Sequence, residues 1–209
     1  VFKSTDKLQK LAIEFYEREN VILIARELLG KIIVTNIDGR CTSGRIVETE
    51  AYAGTEDRAS HAYNGKRTLR NEPMYAGAAT TYVYICYGIH QMFNIVTNEK
   101  EIPHAILIRA IEPVKGIDTM LTRTGKKDLD GTLTKGPGNV GKALGIHKIH
   151  SGISLLGDEI CLAADDCKLD KKQIGISSRI GVSYAGADAL LPYRFYIKGN
   201  KYVSCKPAM

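Results

Sequence analysis

The sequence predicts an α+β domain whose sheet is assembled from hairpins. Strand-like segments recur in pairs separated by short turn signals, at Asp38-Gly39, at Gly88 and at Gly199-Asn200. Helical patterns are few and short. Strand and helix segments do not alternate, which argues against a sheet built from βαβ units. Residues 1–209 are expected to form a single domain, because no composition shift marks a boundary and no internal repeat is found. Hydrophobic residues make up 44% of the chain and charged residues 25%, the balance of a globular protein with an ordinary core.

The first elements read as helical. Leu8, Leu11, Ala12 and Phe15 fall at helical spacing, although Phe15-Tyr16 equally suits the start of a strand. Asn20 is a good N-cap for a helix over 21–29, and Gly30 follows as its C′ residue. A strand over 31–36 then reaches the Asp38-Gly39 turn and returns as 41–47. The returning strand runs straight into two carboxylates, Glu48 and Glu50. Side chains alternate along an extended chain, so Glu48, Glu50 and Tyr52 share a face. An isolated Glu-x-Glu of this kind is usually a solvated strand end. Beside an aromatic ring it also suits polar chemistry on a flat substrate.

The stretch 53–79 is long and polar and carries His61 with a basic cluster, Lys66, Arg67 and Arg70. A connection of this length is either a solvated surface loop or a functional one. Residues 80–87 read as a strand, Gly88 turns it, and 91–97 return. Alternation puts Tyr82, Tyr84 and Cys86 on one face and Val83, Ile85 and Tyr87 on the other, so the tip of a hairpin carries an aromatic ring at Tyr87. A ring in that place packs on a neighbour or serves as a wedge between bases.

A third strong strand over 105–111 embeds Arg109, which needs a partner or an edge in such apolar company. A short helix over 116–123 and a flexible connection over 124–135 follow. Residues 136–141 match G-x-G-x-x-G, yet no buried strand precedes them and no βαβ unit surrounds them. They read instead as the start of a helix over 139–144 with Pro137 near its beginning, an end that can receive a phosphate. Strands over 159–163, 174–182, 193–197 and 202–205 complete the sheet.

A net charge of +6 and a pI near 9.0 point to a polyanionic partner, nucleic acid or an acidic membrane surface. No apolar run is long enough to span a bilayer. The sequence begins at Val1 without a secretory signal, and any targeting segment upstream lies outside this reading. Five scattered cysteines, Cys41, Cys86, Cys161, Cys167 and Cys205, lack a Cys-x-x-Cys pair. They argue against a disulfide framework and a structural zinc site, and for reduced, intracellular thiols. No Ser-His-Asp order is discernible, and His147 and His150 have no acidic or thiol ligand close in sequence. Eleven tyrosines without a tryptophan, on a basic chain, suit stacking on bases and neutralising phosphates.

Seven segments carry a family likeness: 45–52 (Arg-Ile-Val-Glu-Thr-Glu-Ala-Tyr), Ser60-His61, 82–88 (Tyr-Val-Tyr-Ile-Cys-Tyr-Gly) with Asn94, 107–113 (Leu-Ile-Arg-Ala-Ile-Glu-Pro), 135–138 (Lys-Gly-Pro-Gly), 179–182 (Arg-Ile-Gly-Val) and 192–196 (Pro-Tyr-Arg-Phe-Tyr). In this order, over nearly all of the chain, they resemble the alkyladenine (3-methyladenine) DNA glycosylases. The resemblance implies a curved, mainly antiparallel sheet with surrounding helices and a protruding hairpin, a monomer, and no metal or redox cofactor. It implies duplex DNA containing damaged purines as the partner, with no membrane. The compartment would be the nucleus of a eukaryote or the cytoplasm and nucleoid of a bacterium. Glu50 resembles the general base that activates water, and Arg109 the arginine near that water. Tyr52, His61 and Tyr84 resemble the walls that stack a flipped base, with the Ser60 backbone beside His61. Asn94 resembles the residue that crowds the amino group of a normal guanine, and Tyr87 the tyrosine that fills the gap in the duplex. Lys66, Arg67 and Arg70, with Lys135 and Lys142, are candidates for phosphate contacts. Ile89, His90 and Gln91, and the order of Lys66 and Arg67, depart from the family pattern.

The chemistry fits these residue types. Glycosidic cleavage passes through an oxocarbenium-like sugar, and one carboxylate can both stabilise that cation and activate water. A base alkylated on a ring nitrogen is already a cation and leaves readily; neutral hypoxanthine still benefits from an acid. Glu48 reads as structural. No lysine is expected in the pocket, which disfavours a Schiff-base lyase step. Two other readings are a non-catalytic binder of damaged or distorted DNA and a nucleotide-dependent enzyme using 136–141.

Overall fold

The computed structural model describes residues 8–204. Among these, nine strands form one branched sheet in which every pairing is antiparallel. They are β1 (Gln9–Lys10), β2 (Ile32–Ile37), β3 (Arg40–Tyr52), β4 (Thr80–Cys86), β5 (His90–Thr97), β6 (His104–Lys115), β7 (Ile160–Ala164), β8 (Ile174–Ser177) and β9 (Arg194–Ile197). The order is β1-β7-β2-β3-β6-β5-β4, and β9 joins β3 to β8. Four helices pack around it: α1 (Ile13–Tyr16), α2 (Val21–Glu27), α3 (Ile117–Thr124) and α4 (Pro137–Leu144). The fold is α+β, with the sheet curled into a half-barrel.

Strand β3 organises the sheet. Of its 13 residues, the stretch 43–52 pairs with β6 along one edge, while the other edge takes β2 over 40–45 and β9 over 48–50. The register with β6 passes from Ile46↔Ile111 to Glu48↔Ala110 and then to Thr49↔Ile108. It therefore skips Val47 on β3 and then Arg109 on β6. Each skip is a bulge, which bends its strand and re-aims a side chain. Together they curl the sheet and turn Arg109 towards the two carboxylates.

The core lies between the concave sheet and the helices. Ile24 and Leu28 at α2 are fully buried and cluster with Ile46, Phe93 and Ile106. Complete burial of such side chains contributes about 1.5–3 kcal/mol each. Asn20 caps α2 by accepting the Leu23 N–H at 2.9 Å. Helix α4 lies close on β5: a Cβ at Gly141 would run into the Gln91 carbonyl, and one at Gly138 would meet His90 Nδ1 at 2.5 Å. Gly138 and Gly141 thus serve helix-to-strand packing and hold the start of α4 beside the β4–β5 hairpin, while Gly136 takes φ 88° where the chain enters the helix.

Four expectations are corrected. The helical spacing over 8–15 gives one turn, because Gln9 and Lys10 pair with β7. The segment 124–135 is tied down, with Leu133 fully buried and Thr134 Oγ1 donating to Ile111 O at 2.5 Å. The strand expected over 174–182 stops at Ser177, where buried bonds of Arg179 draw the chain off the sheet. The strand expected over 202–205 is not seen in its described part: residues 201–202 form a turn, Tyr202 N–H donating to Asn200 Oδ1 at 2.9 Å, and Cys205 lies outside the described residues. The stretch 53–79 is a chain of short 3₁₀ turns stapled by Asp57 and Asn71. No helix of the described residues is long and apolar enough to cross a membrane.

Candidate active site

Glu50 is fully buried on β3 and accepts three hydrogen bonds from the described residues. Its Oε2 takes the Tyr52 hydroxyl at 2.9 Å and Arg109 Nη1 at 3.3 Å, while Oε1 takes the Ile180 N–H at 2.8 Å. Burial, and then the Glu50 charge, hold the Tyr52 phenol well above its ordinary pKa, so it stays a donor. Glu48 has a different set of donors. Its Oε1 accepts from Arg194 Nε at 2.7 Å, Ser204 Oγ at 2.8 Å and Arg109 Nε at 3.2 Å, and its Oε2 from Ser204 N–H at 2.7 Å. Burial alone would lower the Arg109 pKa, but Glu50 and Glu48 outweigh it and raise it. Two carboxylates and two guanidiniums thus form a compensated buried group, the arrangement that low-dielectric burial requires.

Three of Glu50's donors, Tyr52, Arg109 and Ile180, line an open cavity of about 650 Å³. Its aromatic wall is His61, Tyr84 and Tyr184. The His61 and Tyr84 rings meet edge to face with centroids 4.6 Å apart, and Tyr84 leans on Tyr82 at 5.4 Å. A narrow extension of about 30 Å³ continues below, reaching Tyr82 and Asn94. Asn94 is fixed by Nδ2 bonds to the Tyr82 and Met92 carbonyls, both at 3.1 Å. His61 Nδ1 shares a 2.8 Å hydrogen bond with the Tyr82 hydroxyl. Burial, then Arg70 and Lys66, push the His61 pKa down to about 4, so the ring is neutral near pH 7.

The hairpin tip stands at the mouth of this cavity. Tyr87 is 90% exposed and holds a left-handed backbone at φ 50°. A non-glycine residue rarely does so. Ile85 and Ile89 are exposed on either side of it.

The structure separates the expected basic cluster. Arg67 is turned into ion pairs with Glu72 at 2.6 Å and Glu101 at 2.5 Å and lies over the Tyr75 ring. Lys66 and Arg70 instead face a neighbouring cleft, and Arg70 also stacks on Tyr84 at 5.0 Å. Lys142 donates to the Thr124 carbonyl at 3.2 Å. Ser60 borders that neighbouring cleft, and its backbone is engaged by Asp57 O and Tyr63 N–H. The expectation of a pocket without lysine is corrected: Lys135 lines the cavity with the start of α4.

Sequence reasoning missed Tyr184, the Ile180 N–H, and the pair formed by Asp57 and Arg179. Arg179 binds Asp57 through both terminal nitrogens and also donates to the Ala51 and Asp188 carbonyls. Its guanidinium carbon lies 4.9 Å from the centre of the Tyr52 ring. It backs the ring that forms one wall of the cavity.

The sequence profile of the methylpurine-DNA glycosylase family matches residues 14–201. A protein of Desulfitobacterium hafniense provisionally named 3-methyladenine DNA glycosylase is 43% identical over 95% of this chain and 100% of its own length. A Clostridium perfringens protein of the same provisional name is 44% identical over 94% and 100%. A third, from Chlamydia felis, is 43% identical over 90% and 95%.

Proposed function

The chain belongs to the methylpurine-DNA glycosylase family, and on that premise we propose that it is a monofunctional glycosylase of base excision repair that flips damaged purines out of duplex DNA and hydrolyses their N-glycosidic bond with a Glu50-activated water. The observation that carries this reading is the seat of Glu50. It is a buried carboxylate bridged to Arg109 and held by Tyr52 and Ile180, immediately behind an aromatic cavity.

In this reading a flat base enters the cavity and stacks against Tyr52, His61 and Tyr84. Neutral His61 presents Nε2 to the base edge as N–H or as lone pair, according to the tautomer that the Tyr82 hydroxyl selects. Asn94, fixed below, crowds the exocyclic amino group of a normal guanine. The base departs with the electrons of the glycosidic bond, water adds to the anomeric carbon, and the water's proton passes to Glu50. The carboxylate also stabilises the sugar cation. Oε1 has a single donor among the described residues, the Ile180 N–H, and keeps an acceptor position for the water. 3-Methyladenine and 7-methylguanine leave as neutral bases; hypoxanthine must gain a proton as it leaves, and ethenoadenine completes the expected range. Tyr87 fills the gap in the duplex, and Lys66 and Arg70 meet phosphates. The protein acts inside the cell as a monomer.

The test is incubation with a duplex carrying one hypoxanthine or ethenoadenine, followed by alkali. Strand cleavage that depends on alkali supports hydrolysis to an abasic site. Cleavage without alkali would assign a lyase step to Lys135, and no abasic site would leave a non-catalytic binder of damaged DNA.

A further inference from the structure

A second cleft, of about 570 Å³, adjoins the base cavity and shares His61, Arg70 and Tyr184 with it. Arg58, Lys66 and Arg70 line it, and among the described residues no carboxylate does. None of the three has an ion-pair partner among the described residues, whereas the adjacent Arg67 is neutralised by Glu72 and Glu101. Two tyrosine rings border the cleft: Tyr63 is 41% exposed and Tyr184 is 68% exposed. The Tyr184 hydroxyl is anchored on the Ala59 carbonyl at 3.1 Å. The wall is stiff, because buried Asn71 binds the His61 and Lys66 carbonyls at 3.0 and 2.8 Å.

These features have a direction. Free cations with no acid among them select an anionic ligand. The volume is that of a small-ligand site, about 300–1,000 Å³. Exposed ring faces beside the cations are what a single-stranded nucleic acid uses, one base stacking while its phosphate is neutralised. We propose that this cleft binds an unpaired nucleotide next to the flipped one, holding single-stranded or looped DNA through Arg58, Tyr63 and Tyr184. The proposal rests on the glycosylase reading only for the place of the flipped base.

The experiment compares binding of an undamaged single-stranded oligonucleotide with binding of the same sequence fully paired, by fluorescence anisotropy over a salt series. It uses the full chain and the variants Tyr63→Ala and Arg58→Ala, both at exposed side chains. Tyr63→Ala is expected to weaken single-strand binding about five-fold or more, the low end for a base stacked on a ring. Duplex binding is expected to change by less than about two-fold, as for a surface substitution. Arg58→Ala is expected to lower the single-strand salt slope by about 0.7. Equal losses on both DNAs would overturn the proposal and make the cleft a duplex-backbone contact; no loss on the single strand would overturn it outright. Neither DNA carries a lesion, so the outcome is separate from excision. Failure of the parent protein to excise from a damaged duplex would count against the glycosylase reading alone.

Discussion

Arg179 closes on Asp57 with two parallel bonds, Nη1 to Oδ2 at 2.5 Å and Nη2 to Oδ1 at 2.8 Å, across 122 residues of sequence. Both side chains are buried. The same guanidinium backs Tyr52, and the N–H of the following residue holds Glu50. Asp57→Ala leaves a buried cation without its counter-charge and is expected to cost about 3–5 kcal/mol. Arg179→Lys keeps the charge but loses the fork and the flat face, so it loses stability and also loosens the Tyr52 wall. Urea denaturation of both variants measures the first effect, and lesion affinity of Arg179→Lys the second. An unchanged midpoint for Asp57→Ala would show that the pair contributes little.

Glu48 and Glu50 share Arg109 but differ in their other donors. Glu48 is held by Arg109, Arg194 and Ser204, and of these three Arg109 alone lines the cavity. Glu48→Gln is expected to destabilise by about 3–5 kcal/mol, since it uncovers buried guanidinium charge. Under conditions where it is folded it should retain most single-turnover excision. Arg109→Lys should slow excision while non-specific duplex affinity is kept. Excision in Glu48→Gln reduced as far as in a Glu50 variant would contradict this division.

The hairpin tip separates stability from function. Holding Tyr87 at φ 50° costs of order 1–3 kcal/mol. Tyr87→Gly is therefore expected to fold at least as stably as the parent while binding a lesion in a paired duplex more weakly. The loss should be smaller for a lesion in a mismatch, where flipping already costs less. Equal losses in the two contexts would favour packing over intercalation.

His61 gives the fold a pH signature. Its pKa falls from 6.5 to about 4 on folding. Between these values the unfolded chain binds a proton that the folded one does not, so stability rises with pH through this window. The contribution is complete above about pH 6.5 and is lost as pH falls towards 4. His61→Gln should flatten this part of a stability-against-pH curve. Curves that stay parallel for parent and variant would show that the ring is not held neutral.

The hairpins were legible because their signals are local. Asp38 and Gly39 take φ of 55° and 69°, the left-handed pair that an Asp-Gly turn favours. Glu50, Tyr52, His61, Tyr84 and Arg109 were picked out by the motifs that carry the family resemblance, and the structure brings all five together around one cavity or directly behind it. What was not legible is non-local. The strand after Ile174 ends early because Arg179 answers to Asp57, far away in sequence. Ile180 contributes a backbone N–H, which no side chain advertises. Arg67 reads as a phosphate contact until Glu72 and Glu101 are seen around it.

The central claim is that Glu50 activates water. Glu50→Gln keeps the shape and removes the charge and the basic lone pair. Loss of a general base is worth about 10²–10⁴-fold, and loss of charge stabilisation in a water-poor site adds to it. Single-turnover excision and equilibrium binding on the same lesion-containing duplex measure both sides of the claim. Excision by Glu50→Gln is predicted to fall to near background for every damaged purine, with lesion binding retained, since the rings proposed to stack the base and the cations proposed to meet phosphates are untouched. Excision at the parent rate would contradict the mechanism.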